Sequence, residues 1–255
     1  MFWSDTAHLT LFLLVAMRMA GLIFLNPLLG RRNVPNNLKA GIVFVFTLLV
    51  YTDAEGTVFE TSSSLIFGFL LLKEFLVGYV LGYVLELFYF VITYTGSIMD
   101  FQMGLSMAQV YDPQTNTQTA LSARLYQIFY TLLFFAVDGH LVMIKILLTS
   151  GEVVPYGEVA FTQGLALAVL DLFKECVVLA VRFTFPILAV EFLMEIAVGI
   201  MMKMAPQVNI FVINIQMKIV LGFLMLLFLF SPMRGYLEDL MDQMLQTLKN
   251  ILTLM

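Results

Sequence analysis

A single cysteine, two histidines and one tryptophan in 255 residues remove several chemistries at the outset. Cys176 alone cannot build an intrachain disulfide framework, and one thiol gives no metal cluster. His8 and His140 lie too far apart in sequence for a local His-x-x-x-His site, so no metal site is expected. There is no Walker-type glycine loop and no His-Glu-x-x-His motif. No cofactor is implied, and any energy for transport must come from elsewhere. Charge is also scarce, with 13 Lys and Arg against 18 Asp and Glu, a net charge of −5 and no basic run. Nucleic acid is therefore not an expected partner. The segment Gly104-Leu105-Ser106-Met107-Ala108 loosely resembles a nucleophile elbow, with His140 as its base. It lacks the final glycine and a strand–turn–helix context, so the chain is not expected to be an enzyme.

What is present is oil. Hydrophobic residues make up 61% of the chain and mean hydropathy is +0.95, which places it in the membrane class. Ionisable residues nevertheless interrupt most apolar runs: Arg18, Lys73, Glu74, Glu86, Asp138, Lys145, Arg182, Glu191, Glu195 and Lys218. Charge in hydrocarbon is costly and marks contact with protein or water rather than lipid. Asp171, Lys174, Glu175, Arg182, Glu191 and Glu195 at roughly 3 kcal/mol each would cost about 18 kcal/mol near a helix centre. About nineteen Leu, Ile, Phe and Val residues nearby return only ~9 kcal/mol. Charges near helix ends cost less, but even half of that total means these helices are not simply bathed in lipid.

Apolar segments run over residues 7–29, 38–51, 65–99, 125–148, 159–205 and 208–230. A crossing helix needs about 20 residues. The first, fourth and sixth segments fit one pass each, the second is short, the third exceeds one pass, and the fifth has room for two helices meeting near Pro186. Arg31, Arg32 and Lys39 cluster in one short loop, which the positive-inside rule puts in the cytoplasm. The N-terminus lacks the basic n-region of a cleaved signal peptide, so the first segment is expected to stay in the mature protein. Residues 1–234 read as one helical domain, followed by a C-terminal amphipathic helix over 235–255 within the same unit. Leu237, Leu240, Met241, Met244, Leu245, Leu248, Ile251 and Leu252 form its apolar face at three- and four-residue steps. Its acidic face disfavours anionic lipid, so docking on a partner helix is expected.

Glu74, Gly78, Gly82 and Glu86 fall at steps of four on one helical stripe. The glycines allow close approach of a second helix. Two readings are open: a structural seam with capped or paired carboxylates, or a cation or proton path. Asp171, Glu175 and Arg182 share another stripe, and Glu191 with Glu195 forms a second carboxylate pair beyond Pro186. Residues 103–122 begin with Met and small residues and become rich in amides and hydroxyls around Asp112-Pro113. This segment is either a surface connection or a flexible piece lining or blocking a pore.

Several stretches together resemble the FliR family of type III export apparatus proteins (SctT in virulence systems). Ala205-Pro206-Gln207-Val208-Asn209-Ile210-Phe211 resembles the family's most recognisable signature. Asp138-Gly139-His140 and Asp100-Phe101-Gln102-Met103-Gly104, followed by Asp112-Pro113, resemble two more. Lys203 stands where relatives often have Arg, and Leu141 where some have a second His. The resemblance implies an all-α membrane protein of packed helical hairpins. It implies a subunit of the flagellar export gate in the bacterial inner membrane, at the flagellar basal body. FliP and FliQ would be its partners in the channel, FlhB and FlhA would lie nearby, and unfolded flagellar proteins would be the substrates. The family's central loop helps plug the pore, which makes Met103, Gly104, Ser106, Met107, Tyr111, Asp112, Pro113 and Asn116 the candidate plug residues. Pro206, Gln207 and Asn209 would be structural, the proline breaking the helix and the amides satisfying freed backbone groups. The alternative is a small-solute or ion transporter coupled through Glu74, Glu86 or the Glu191/Glu195 pair.

Overall fold

The computed structural model describes residues 6–27, 29–30, 34–53, 64–105, 110–112, 117–204 and 210–255. Within them the chain forms α1 (Thr6–Leu25), α2 (Asn36–Asp53), α3 (Ser64–Gln102), α4 (Leu121–Ala136), α5 (Gly139–Val153), α6 (Gln163–Met204) and α7 (Ile210–Leu252). Between α3 and α4 a short antiparallel ribbon joins β1 (Val110–Asp112) to β2 (Thr117–Thr119), with Tyr111 opposite Gln118. Among the described residues, four helices are long and apolar enough to cross a membrane. α4 and α5 make a fifth candidate if their break lies inside one bent span. The protein is an all-α membrane protein.

Three expectations about helix limits change. Residues 159–205 do not divide at Pro186, because α6 runs unbroken for 42 residues through it. One proline removes a single i→i−4 bond, and a helix with apolar turns on either side still pairs more backbone groups than a break would, as a water-poor environment demands. Residues 125–148 do divide. Asp138 takes a left-handed φ of 57° and separates α4 from α5. The tail does not restart after Pro232 and Gly235; it is the last part of the 43-residue α7. At 1.5 Å per residue α3, α6 and α7 are each about 60 Å long, roughly twice the hydrocarbon thickness of a bilayer.

The chain separates into two compact units. The first comprises 1–88, 134–173 and 241–255. Its core is Leu14, Val15, Met19 and Leu22 of α1, Val77, Leu81 and Val84 of α3, Ile146 and Leu147 of α5, and Leu248 and Ile251 of α7. α1 and α3 meet backbone to backbone at glycines. A Cβ at Gly78 would overlap the Arg18 carbonyl, and one at Gly82 would stand 2.8 Å from the Leu22 oxygen. α2 packs on α1, where Phe12 meets Phe44 and Tyr51 edge-on.

The second unit comprises 89–133 and 174–240. Val91, Ile92, Met99, Ala123, Tyr130, Cys176, Ala180, Ile187 and Leu237 fill it. Phe183 stacks on Tyr236 at 4.1 Å between ring centroids and meets Tyr126 edge-on. Three polar groups cross between its helices: Gln127 Nε2 donates to Thr93 Oγ1, Thr95 Oγ1 to the Ala180 carbonyl, and the Tyr236 hydroxyl to the Leu179 carbonyl. Each removes a polar atom from the list of buried groups that would otherwise stay unpaired.

Candidate functional site

Gly78 and Gly82 let α3 approach α1, and that approach brings Glu74 against Arg18. Both side chains are fully buried, with Arg18 Nε donating to Glu74 Oε2 at 2.7 Å. The rest of the guanidinium is also used. One terminal nitrogen donates to the Ser150 carbonyl at 3.0 Å and its hydroxyl at 3.4 Å, the other to the Val154 carbonyl at 3.0 Å. Its plane lies over the Tyr156 ring, 4.2 Å from the centroid. Glu74 Oε1 accepts from the Gly157 backbone N–H at 2.8 Å. Lys73 donates to the Val159 carbonyl beside it. Burial, with the Glu74 charge acting in the same direction, pushes the Tyr156 phenol above its ordinary value against the opposing pull of Arg18 and Ser150. This arrangement fixes the non-helical backbone after α5, which is tolerated inside a membrane protein where protein groups satisfy it.

Glu86 does not join this cluster. It lies twelve residues further along α3, about 18 Å along the axis. The stripe therefore does not converge on one cation. Asp171, Glu175 and Arg182 occupy exposed positions on α6. The Glu191/Glu195 pair divides: Glu195 is exposed and paired with Lys218, whereas Glu191 is buried. Neither Glu191 carboxylate oxygen has a hydrogen-bond partner among the described residues.

Asp138, Gly139 and His140 form the break between α4 and α5. Asp138 accepts the Leu141 and Val142 N–H groups on its backbone carbonyl. Aspartate tolerates the left-handed conformation better than most residues. Gly139 gives room to Phe134 and Met241, which a Cβ would approach to 2.8 and 3.0 Å. His140 packs beside Phe135 at 5.2 Å. The motif thus shapes a turn, and no nucleophile meets this histidine among the described residues.

At the candidate plug loop, α3 ends at Gln102, and Gly104 just beyond it has a φ of 75° that is open to glycine without steric cost. Met103 is fully buried. Tyr111 and Asp112 lie in β1. Ser106, Met107, Pro113 and Asn116 lie outside the described residues, as do Pro206, Gln207 and Asn209; the backbone of Phe211 lies in the first turn of α7, after Ile210. Asp100 is the residue that sequence reasoning placed in a motif without a role. It is buried, and its carboxylate accepts the Ser122 backbone N–H at 3.2 and 3.3 Å together with the Ser122 hydroxyl. It thereby caps α4 from a different helix.

These features define an integral membrane protein whose internal charges are largely spent on holding its own helices and one loop. Residues 9–244 match the bacterial export proteins, family 1, and the chain belongs to that family, the FliR family its motifs resemble. It is 28% identical over 252 residues to the flagellar biosynthetic protein FliR of Bacillus subtilis, covering 95% of each chain. It is 24% identical to FliR of Escherichia coli, covering 96% of this chain and 94% of the relative. Similarity extends to the surface presentation of antigens protein SpaR of Shigella sonnei, 25% identical over 86% of each chain.

Proposed function

We propose that this chain is a non-enzymatic subunit of the flagellar type III protein export gate in the bacterial inner membrane, at the flagellar basal body. It assembles with FliP and FliQ into the channel that passes unfolded flagellar proteins, with FlhB and FlhA nearby. The observation that carries this reading is the family match along 9–244. The flagellar branch is favoured because FliR of Bacillus subtilis and of Escherichia coli align over 95% and 96% of this chain, against 86% for SpaR. The burial of Glu74 in a saturated ion pair also speaks for a structural role rather than for a coupling carboxylate. The loop between α3 and α4 helps plug the pore. Its small and flexible residues suit a segment that must both seal and yield.

Co-expression with FliP and FliQ, followed by native mass spectrometry of the detergent-extracted complex, tests the assignment. A discrete hetero-oligomer containing this chain is expected. A stable monomer or homodimer that ignores both neighbours would overturn it.

A further inference from the structure

Three carboxylates are buried among the described residues, Glu74, Asp100 and Glu191, and only two of them are used. Glu74 is matched by Arg18 and the Gly157 N–H, and Asp100 by Ser122. Glu191 has 0% exposure, and neither of its oxygens has a hydrogen-bond partner among the described residues. Its place on α6 explains the burial. Cys176, Ala180, Thr184, Ile187, Met194 and Val198 are buried at the steps of one helical stripe, and Glu191 stands in that stripe between Ile187 and Met194. An ionised carboxylate without partners cannot persist in such a place; it takes up a proton or finds a counter-charge. The charges that act on it, among the described residues, are Lys218 of α7 and Glu195, one turn further along α6. Lys218 is already committed. Its ammonium donates to Glu195, whose side chain is 41% exposed and so reaches water. Asn214, one turn before Lys218 on α7, brings another buried oxygen without a partner. This part of α6 and α7 therefore holds more acceptor capacity than its one lysine satisfies.

We propose that Glu191 is a proton-binding site and that Lys218 responds to its state. With its proton, Glu191 is a neutral acid that the buried stripe tolerates, and Lys218 is tied to Glu195. When Glu191 gives its proton to water past the exposed Glu195, the site gains one negative charge. The ammonium, keeping its own three protons, then moves one helical turn back, from Glu195 to Glu191. Side chains at i and i+4 on a helix leave it ~6 Å apart, a distance the flexible lysine stem covers without a backbone shift. Glu195 is left to solvent, which its exposure permits. Protonation of Glu191 therefore decides which turn of α6 is tied to α7. The site is built from this chain's own residues and does not depend on which subunits surround it.

Infrared difference spectra of the purified full-length chain in detergent, wild type minus Glu191→Gln, test the site, because glutamine keeps the shape of the neutral acid. The carbonyl stretch of a protonated carboxylic acid is expected in wild type at neutral pH, shifted in heavy water and lost in alkali. Its absence at neutral pH would overturn the proposal. A band that appears only when sodium and potassium are replaced by choline would put a metal cation in place of the proton, and would overturn it equally. Lys218→Met withdraws the charge that receives the new carboxylate. The band is then expected to persist to a pH higher by about one unit or more, and a midpoint that stays or falls would refute the role of the lysine.

Stability gives a second readout. Unfolding lets Glu191 ionise freely, so as pH rises past the ordinary glutamate range the unfolded chain releases a proton that the folded chain retains. The folding equilibrium weakens by up to about tenfold per pH unit until the folded chain releases the proton too. Between about pH 5 and about pH 8 the unfolding temperature should thus fall by several degrees more in wild type than in Glu191→Gln, and equal slopes would count against a retained proton. Glu191→Met is the neutral reference in both measurements should glutamine weaken the fold.

Discussion

Arg18 and Glu74 illustrate what a charge inside an apolar helix requires. Each is removed from water, and each finds a counter-charge plus backbone groups that take up its remaining hydrogen-bonding capacity. A buried pair of this kind is expensive to break and much less so to replace, because removing one partner strands the other. Glu74→Ala is expected to destabilise the chain by about 3–5 kcal/mol. The double variant Arg18→Met with Glu74→Met should recover most of that loss. Denaturant titration in mild detergent reads both, and equal instability of single and double would contradict the pairing argument. The glycines beside the pair were legible as a close seam from their spacing. Their neighbour was not: the seam lies against α1 of the same chain, because Arg18 and Leu22 present backbone there.

Helix termini were the least legible feature of the elements. A proline usually suggests a boundary, yet Pro186 and Pro232 lie inside α6 and α7. The boundary that does form sits at Asp138, with no proline near it. Apolar continuity and backbone satisfaction outweigh one lost bond in the first cases, and a left-handed residue redirects the chain in the second. The tail shows the opposite balance. Its apolar face was read correctly from periodicity: Leu237, Leu240, Met241, Met244, Leu248 and Ile251 are buried, while Asp239 and Asp242 face outward. What covers that face is the chain itself rather than a partner helix. Leu248→Ala should therefore cost about 2–5 kcal/mol. Asp242→Leu should stay within about 0.5 kcal/mol. Thermal unfolding of the detergent-solubilised chain separates the two, and a similar cost for both would refute the assigned faces.

For the molecule as a whole, the surface is as telling as the core. Phe185, Phe192 and Leu193 on α6 and Leu227 and Phe228 on α7 are each more than 60% exposed. Apolar patches of this kind on a soluble monomer would be an aggregation hazard, whereas lipid or neighbouring subunits cover them readily. The chain expressed alone is thus expected to remain in the membrane pellet through alkaline carbonate washing and to be released only by detergent. Release by carbonate would contradict the integral assignment.

The sequence by itself determined the class of the protein, the presence of charges inside apolar runs that lipid does not tolerate, the buried face of the tail and the family motifs. Each of these depends on composition or on residues within a few turns of one another, where helical periodicity fixes which side chains share a face. Tertiary structure alone decided the contacts. Arg18 meets Glu74 across 56 positions and Ser150 across 132, Asp100 reaches Ser122 over 22, and Met103 packs on Gly222. No local pattern encodes such pairings, because they arise only when separate helices, each already amphipathic or charged, are brought to one depth and must satisfy one another where water is absent.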